Sequence, residues 1–280
     1  MAFNTLCELV RHSVDRFASR VAFSMFEGDD VTYAEAGRRI EKVQRILTEA
    51  GLSAGDKVAL LSSSMPNWGV CYFAVTAAGM VVVPILPDFS GEELDMIIEH
   101  SEAKALLVSD KLFTKLSKET IGRLNVVVRT KNLGIIAQRV CGAGSVGEPK
   151  PEDLAAIIYT SGTTSKPKGV MLTHAALCAQ VTLSSSIFPV QADDVFLSVL
   201  PLSHTYECSI GLIYPFSMGA RVVYMDRPPT ASALMPALRA VRPTVMLIVP
   251  LIIEKIYRHQ VLAKFNSTRC WWMKVPWTKS

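Results

Sequence analysis

The chain of 280 residues is long enough for one large or two small domains, and half of its residues are hydrophobic, which suffices for a sizeable core. Its 29 basic and 25 acidic residues give a formal charge of +4, which is too balanced to indicate a nucleic-acid-binding protein. The six cysteines are scattered without a C-x-x-C pair, which argues against a disulfide framework or a metal cage and indicates reduced thiols.

The first fifty residues have the periodicity of a helix, a hairpin and a second helix. Apolar residues recur at helical spacing in 5–19 and again in 34–50, and Gly51 is a typical C-terminal stop. Two short β-prone runs at 21–26 and 31–33 flank a glycine-containing turn, which predicts a small hairpin.

The following region alternates strands with helices, which indicates parallel sheets covered by helices. Up to residue 129 the predicted strands and helices are, in chain order, 57–62, 67–78, 81–86, 92–101, 105–109, 111–121 and 125–129. From residue 175 they are helix 175–188, strand 195–200, helix 208–218, strand 220–225, helix 231–241, strand 244–249 and helix 251–265. The predicted fold class is α/β, with parallel sheets flanked by helices and βα repeats in two subdomains.

The secondary-structure signals fade between residues 132 and 151, where glycine and proline are frequent. We interpret this stretch as a boundary, so that the predicted subdomains cover 1–150 and 151–280. A loop inside one domain explains the stretch as well.

A long uncharged stretch, 58–87, contains an apolar part that is long enough for a membrane span of ~20 residues. Pro66, Gly79 and Pro84 divide it, which favours a strand, a helix and a strand instead. The N-terminus carries charges from Glu8 onward and has no signal-peptide core. We expect a cytoplasmic protein and leave peripheral membrane contact open.

The most informative segment begins with a strand-like run at 154–159 and ends with a second apolar run at 170–172. The loop between them consists of residues that suit phosphate binding: hydroxyls and backbone N–H groups donate to phosphate oxygens, and lysines add charge. The candidate phosphate-binding residues are Thr160, Ser161, Gly162, Thr163, Thr164, Ser165, Lys166, Lys168 and Gly169. A Walker A loop is excluded because Lys168 precedes Gly169 and is followed by Val170. A flexible linker is disfavoured because apolar runs bound the loop at both ends.

The run YTSGTTSKPKGV, residues 159–170, resembles the phosphate-binding signature of AMP-forming adenylating enzymes. That superfamily includes acyl-CoA synthetases, firefly luciferase and the adenylation domains of peptide synthetases. Ser165 departs from the signature, which usually has glycine there. A serine can still donate a hydroxyl but takes a positive φ less readily.

A second motif, PLSHTYE at 201–207, follows a predicted strand, and ligands of open α/β sheets bind beyond the carboxyl ends of strands. A histidine in this place is, by itself, more often a structural hydrogen-bonder. The motif resembles the second core motif of the superfamily, in the form typical of acyl-CoA synthetases for longer chains. The resemblance implies that His204 is catalytic and lies beside the acyl substrate, with Tyr206 and Glu207 as further substrate contacts.

The resemblance also implies a reaction. In the family, a carboxylate attacks the α-phosphate of ATP, and the thiol of coenzyme A then displaces AMP. ATP, Mg²⁺ and coenzyme A would be the cofactors, with Thr160 close to the Mg²⁺, and a fatty acid or another carboxylic acid would be the substrate. The adenine and ribose segments and the mobile C-terminal domain of the family have no match. We therefore expect an N-terminal fragment of a long-chain fatty acid–CoA ligase, inactive or very weak alone.

Three points stay open at this stage. The acid that the parent enzyme activates could be an aryl or amino acid instead of a fatty acid. The chain could also be a non-catalytic module that binds a nucleotide or an acyl group, so its status as an enzyme is undecided. Its oligomeric state is not indicated by any pattern.

Overall fold

The computed structural model describes residues 3–139, 141–160, 168–225 and 229–258. The helices are α1 (Leu6–Arg16), α2 (Tyr33–Glu49), α3 (Pro66–Ala77), α4 (Gly91–His100), α5 (Asp110–Phe113), α6 (Lys118–Arg123), α7 (His174–Ile187), a π-helix (Glu207–Ile213), α8 (Tyr214–Met218), α9 (Ala231–Val241) and α10 (Pro250–Ile256). The strands are β1 (Val21–Met25), β2 (Asp30–Thr32), β3 (Lys57–Leu61), β4 (Val81–Pro84), β5 (Ala103–Val108), β6 (Val126–Arg129), β7 (Gly134–Gln138), β8 (Leu154–Thr160), β9 (Lys168–Thr173), β10 (Val195–Ser198) and β11 (Arg221–Tyr224).

The larger sheet has seven strands in the order β7-β6-β5-β3-β4-β8-β9. The five inner strands are parallel, and the edge strands β7 and β9 run antiparallel to their neighbours. The predicted α/β class with parallel sheets is confirmed. Strand β7 was not predicted, because it is an edge strand whose residues are partly buried or exposed, and its apolar run is limited to Ile135–Ala137.

The smaller sheet has four strands in the order β10-β11-β1-β2. The predicted hairpin is β1 and β2, and its first strand also pairs in parallel with β11, nearly two hundred residues later. Each sheet therefore draws strands from both sides of residue 150, since β8 and β9 belong to the larger sheet. The division into subdomains 1–150 and 151–280 stays a prediction.

Helix α3 fills the space between the two sheets. Its residues Pro66–Thr76 are all buried, as expected for a helix that is apolar on every side. Gly69 permits this close packing, since a Cβ there would lie 2.9 Å from the side chain of Leu212 and 3.1 Å from the ring of Phe23. The uncharged stretch is thus the centre of the core. Within the described ranges, no helix is long and apolar enough to cross a membrane.

Several predicted bounds differ from the structure. The helix predicted at 111–121 is two short helices, because the Ser117 side chain accepts from Thr120 N and starts a new helix. The helix predicted at 208–218 begins as a π-helix. The strand predicted at 244–249 is reduced to one parallel bridge between Val245 and Phe196. The helix predicted at 251–265 is α10 as far as Ile256, and 259–265 lie outside the described residues.

Candidate functional site

The two ends of the predicted phosphate loop are held opposite each other by an antiparallel hairpin. Strands β8 and β9 pair Thr160 with Lys168 and Tyr159 with Gly169. Thr160 and Lys168 are both exposed, so a hydroxyl and an ammonium group lie side by side at the mouth of the loop. The other predicted loop residues, Ser161, Gly162, Thr163, Thr164, Ser165 and Lys166, lie outside the described residues.

The hairpin is fixed to helix α4 through Tyr159. The Tyr159 hydroxyl lies 2.7 Å from His100 Nδ1, and the two rings meet edge to face. On the other strand, a Cβ at Gly169 would lie 2.9 Å from Ile157 Cγ2 and 3.3 Å from Tyr159 Cζ. Glycine at this position therefore lets the second strand approach the tyrosine ring, and the ring and the helix together set the direction of the hairpin.

Replacing Tyr159 by phenylalanine should lower the free energy of unfolding by about 1 kcal/mol, because it removes one partly buried hydrogen bond. We also expect a modest loss of ATP affinity, since the ring that packs on Gly169 remains. Urea unfolding and calorimetric titration with ATP measure the two effects. Tyr257→Phe, at an exposed tyrosine in the last described turn, is the matched control. A Tyr159→Phe variant as stable as the parent would contradict the role of the His100 contact.

Parallel pairing brings the loop after β3 and the predicted phosphate loop after β8 to one edge of the larger sheet. Strands β3, β4 and β8 are neighbours and run in the same direction, so the loops that follow them leave at the same edge. The loop after β3 is two strand positions, roughly 10 Å, from the predicted phosphate loop after β8. This edge is where open α/β sheets bind ligands.

Ser64, in the loop after β3, joins this edge to the second motif. Its Oγ accepts a hydrogen bond from Leu202 N at 3.1 Å and donates to the Leu200 carbonyl at 3.4 Å. The segment 199–206 is therefore held beside the loop after β3, between the ends of the two sheets. Ser64 was not predicted as a site residue, although its position just past a predicted strand end was a usable signal.

Within the second motif, two of the three predicted substrate residues are on the surface. His204 is exposed, and Tyr206 has about half of its surface accessible (51%). The backbone there is ordered by local bonds, with His204 N donating to Pro201 O and Cys208 N donating to His204 O. Both side chains are thus accessible to a ligand from the surface.

Glu207 differs from its two neighbours because it is buried (1% exposed). Its Oε1 accepts a 2.6 Å hydrogen bond from Ser198 Oγ, and its Oε2 has no hydrogen-bond partner in the described part of the chain. Burial raises the pKa of the Glu207 carboxyl to about 7, and the Ser198 hydrogen bond lowers it by less. The structure therefore does not bring the Glu207 carboxyl together with His204 and Tyr206 on the surface.

His174, which follows β9, has a structural role. Its Nδ1 accepts from Leu6 N at 3.2 Å, which satisfies a backbone donor in the first turn of α1. Its ring is fully buried, and this burial lowers its pKa to about 4, with a smaller opposing effect of Asp153. Neutral His174 thus ties helix α7 to helix α1.

The described residues offer few ligands for a metal ion. No three His, Cys, Asp or Glu side chains cluster in a way that could hold a metal within the ranges that the structure describes. Mg²⁺ in phosphate sites keeps several waters and takes one or two protein oxygens besides the phosphates. The exposed Thr160 hydroxyl at the mouth of the loop fits such a site, together with phosphate oxygens.

Comparison with known proteins agrees with these features. A family model described as AMP-binding enzyme matches residues 10–273. The long-chain-fatty-acid–CoA ligase FadD15 of Mycobacterium bovis is 30% identical over 244 residues, which cover 81% of this chain and 40% of that protein. The oxalate–CoA ligase of Arabidopsis thaliana is 29% identical over 233 residues, covering 79% of this chain and 45% of that protein.

A solved structure has the same fold. The O-succinylbenzoate coenzyme A synthetase of Bacillus subtilis, in complex with AMP, superposes with a TM-score of 0.75 at 21% identity, covering 90% of this chain and 64% of that chain. The chain thus spans less than half of the length of the two curated relatives above.

Proposed function

Because the chain belongs to the AMP-binding enzyme family, we propose that it forms part of an AMP-forming fatty acid–CoA ligase. The observation that carries the proposal is that the phosphate hairpin leaves the larger sheet at the same edge as the loop after β3, to which Ser64 binds the His204 segment. The fatty acid is favoured over other acids by the form of the PLSHTYE motif and by the likeness to FadD15.

In the proposed reaction, a carboxylate oxygen of the acid attacks the α-phosphorus of ATP, and the bond to the β-phosphate oxygen breaks to release pyrophosphate. The sulfur of coenzyme A then attacks the acyl carbon, its proton is lost, and AMP leaves. The acid supplies its own nucleophile, so the protein contributes position and charge. Mg²⁺, when bound, would neutralise charge on the phosphate oxygens.

The residues of this chain have separate parts in the first step. The Thr160 hydroxyl would lie close to the metal-bound phosphates, and Lys168 would donate a charge-assisted hydrogen bond to the β- or γ-phosphate. The backbone around Gly169 would follow the phosphates closely. The exposed side chain of His204, on the segment between the two sheets, would lie beside the acyl group and the α-phosphate, and Tyr206 would extend that surface.

The 280 residues alone should bind ATP but turn over weakly, since the chain spans less than half of its curated relatives. A non-catalytic module for nucleotides or acyl groups is the alternative from a different class. Another acid is a second alternative, because a relative of similar identity is an oxalate–CoA ligase. We propose a cytoplasmic location, with membrane contact left open.

The test is release of pyrophosphate from ATP and Mg²⁺ with a panel of acids: palmitate, octanoate, oxalate, benzoate and an amino acid. The expected result is ATP binding with slow release that is fastest with a fatty acid. Equal rates with every acid and with none would contradict the assignment to a fatty acid. ATP binding without any release, in the presence of each acid, would favour the binding module.

A further inference from the structure

The segment that carries His204 is closed at its base by a buried hydrogen bond. The chain leaves strand β10 at Ser198 and enters the π-helix at Glu207, and the side chains of these two residues meet at 2.6 Å. Ser198 and Glu207 are both buried, at 4% and 1% exposure, whereas His204 and Tyr206 between them are exposed. The bond therefore holds together the two ends of the loop that carries the exposed side chains of His204 and Tyr206.

The packing around the carboxyl leaves it little freedom. A Cβ at Gly211 would lie 2.8 Å from both Cδ and Oε1 of Glu207, so the carboxyl fills the space that glycine leaves in the next turn. Residues 207–213 are a π-helix, a form that is rare and frequently found at functional sites. The geometry thus keeps Oε1 directed at Ser198 and away from the surface.

A second anchor holds the same loop from the other side. Ser64, after strand β3, bonds the backbone of Leu200 and Leu202. The loop is therefore fixed to the smaller sheet through Ser198 and to the larger sheet through Ser64. Two anchors on different sheets restrict both the position and the tilt of the backbone at His204.

We propose that Glu207 is a positioning residue, which acts through Ser198 to hold the His204 loop in the arrangement that receives the acyl substrate. The identity of the substrate in this assignment rests on the proposed function. The positioning of the His204 loop by Glu207 and Ser198 does not. It replaces the expectation that Glu207 contacts the substrate directly.

The experiment compares four variants of the 280-residue chain: Ser198→Ala, Glu207→Ala, Glu207→Gln and the matched control Ser217→Ala. Ser217 is also a buried serine, but its Oγ bonds the Tyr214 carbonyl in helix α8. Glu207→Gln cannot ionise and keeps an oxygen that can accept from Ser198. Ser198→Ala is the smallest change and keeps the test informative if Glu207→Ala does not fold.

The first readout needs no ligand. The backbone amide and ring signals of His204, assigned by comparison with a His204→Gln sample, are followed by nuclear magnetic resonance. We expect shifted or broadened signals in Ser198→Ala and Glu207→Ala, and signals close to those of the parent in Glu207→Gln and Ser217→Ala. Unchanged His204 signals in Ser198→Ala would overturn the proposal.

The second readout is the affinity for a fluorescent fatty acid, measured beside the affinity for ATP. Loss of the hydrogen bond between Ser198 and Glu207 should weaken fatty-acid binding about tenfold, the effect of one buried hydrogen bond, without changing ATP binding. A direct substrate contact would give the opposite pattern, in which Glu207→Gln loses affinity and Ser198→Ala does not, and would overturn the proposal. If the parent binds no fatty acid, the proposed function is wrong. The His204 signals still test whether the Ser198–Glu207 hydrogen bond positions the His204 loop.

Discussion

Lys168→Ala is expected to weaken ATP binding by about 10- to 100-fold and to leave the fold unchanged. Lys168 is the first residue of strand β9, is exposed, and pairs with Thr160 across the mouth of the proposed phosphate loop. A hydrogen bond from a charged donor contributes roughly 1.5–3 kcal/mol, and every 1.4 kcal/mol is a factor of ten in affinity. Because the side chain is exposed, its removal leaves no cavity.

Calorimetric titration with ATP and Mg²⁺ measures the effect, and urea unfolding checks that the variant is folded. Lys42→Ala, at an exposed position of helix α2, removes the same charge elsewhere and should bind ATP like the parent. Lys168→Arg should retain part of the affinity, because it keeps the charge but changes its shape. If Lys42→Ala bound ATP as weakly as Lys168→Ala, the loss of affinity would be due to net charge. The proposed contact between Lys168 and the phosphates would then be wrong.

Most strands, and the hairpin that frames the predicted phosphate loop, could be predicted because their signals are local. Strand β8 is visible from an apolar run, and helix α7 begins after Thr173, whose side chain accepts from Ala176 N. The family signature lies on one continuous stretch of sequence. Which strands become neighbours is not local. No feature of residues 21–25 indicates that they pair with 221–224, since that pairing depends on the packing of α3 between both sheets.

The orientation of single side chains was the least predictable part of the site. His204, Tyr206 and Glu207 lie in one short motif, yet the first two face outward and the third faces the core. A carboxylate next to exposed residues is normally expected in solvent, because burial of a charge is costly. The cost is reduced here by the Ser198 hydrogen bond and by the neutral form of the carboxyl, and both depend on residues outside the motif.

The buried Glu207 and His174 should give the stability of the chain two opposite dependences on pH. Burial raises the pKa of Glu207 from 4.5 to about 7, so its contribution is fully present below pH 4.5 and is lost as the pH rises through 7. Burial lowers the pKa of His174 from 6.5 to about 4, so its contribution is present above pH 6.5 and is lost as the pH falls through 4. At about 1.4 kcal/mol for each pH unit between the folded and unfolded pKa values, each effect amounts to about 3 kcal/mol.

Between pH 4.5 and 6.5 the two effects change the free energy of unfolding in opposite directions and nearly cancel in the parent. Variants that lack one of the two groups should therefore show the pH dependence due to the other. Glu207→Gln leaves the His174 effect alone, and its free energy of unfolding should rise by about 3 kcal/mol from pH 4 to 6.5 relative to the parent. His174→Gln keeps an acceptor for Leu6 N and leaves the Glu207 effect alone, so its stability should fall by a similar amount from pH 4.5 to 7.

Urea unfolding at pH 4, 5, 6, 7 and 8 measures the slope of the free energy of unfolding against pH. A pH-independent loss of stability caused by the substitution does not change this slope. Glu41→Gln, at an exposed position of helix α2, is the control for the loss of one carboxylate and should reproduce the profile of the parent. Slopes of opposite sign in the two variants would establish that both groups are neutral in the folded chain near pH 5.5. Stability profiles parallel to that of the parent would mean that Glu207 and His174 are in contact with water in solution. The buried hydrogen bond between Ser198 and Glu207 beneath His204 could then not exist as described.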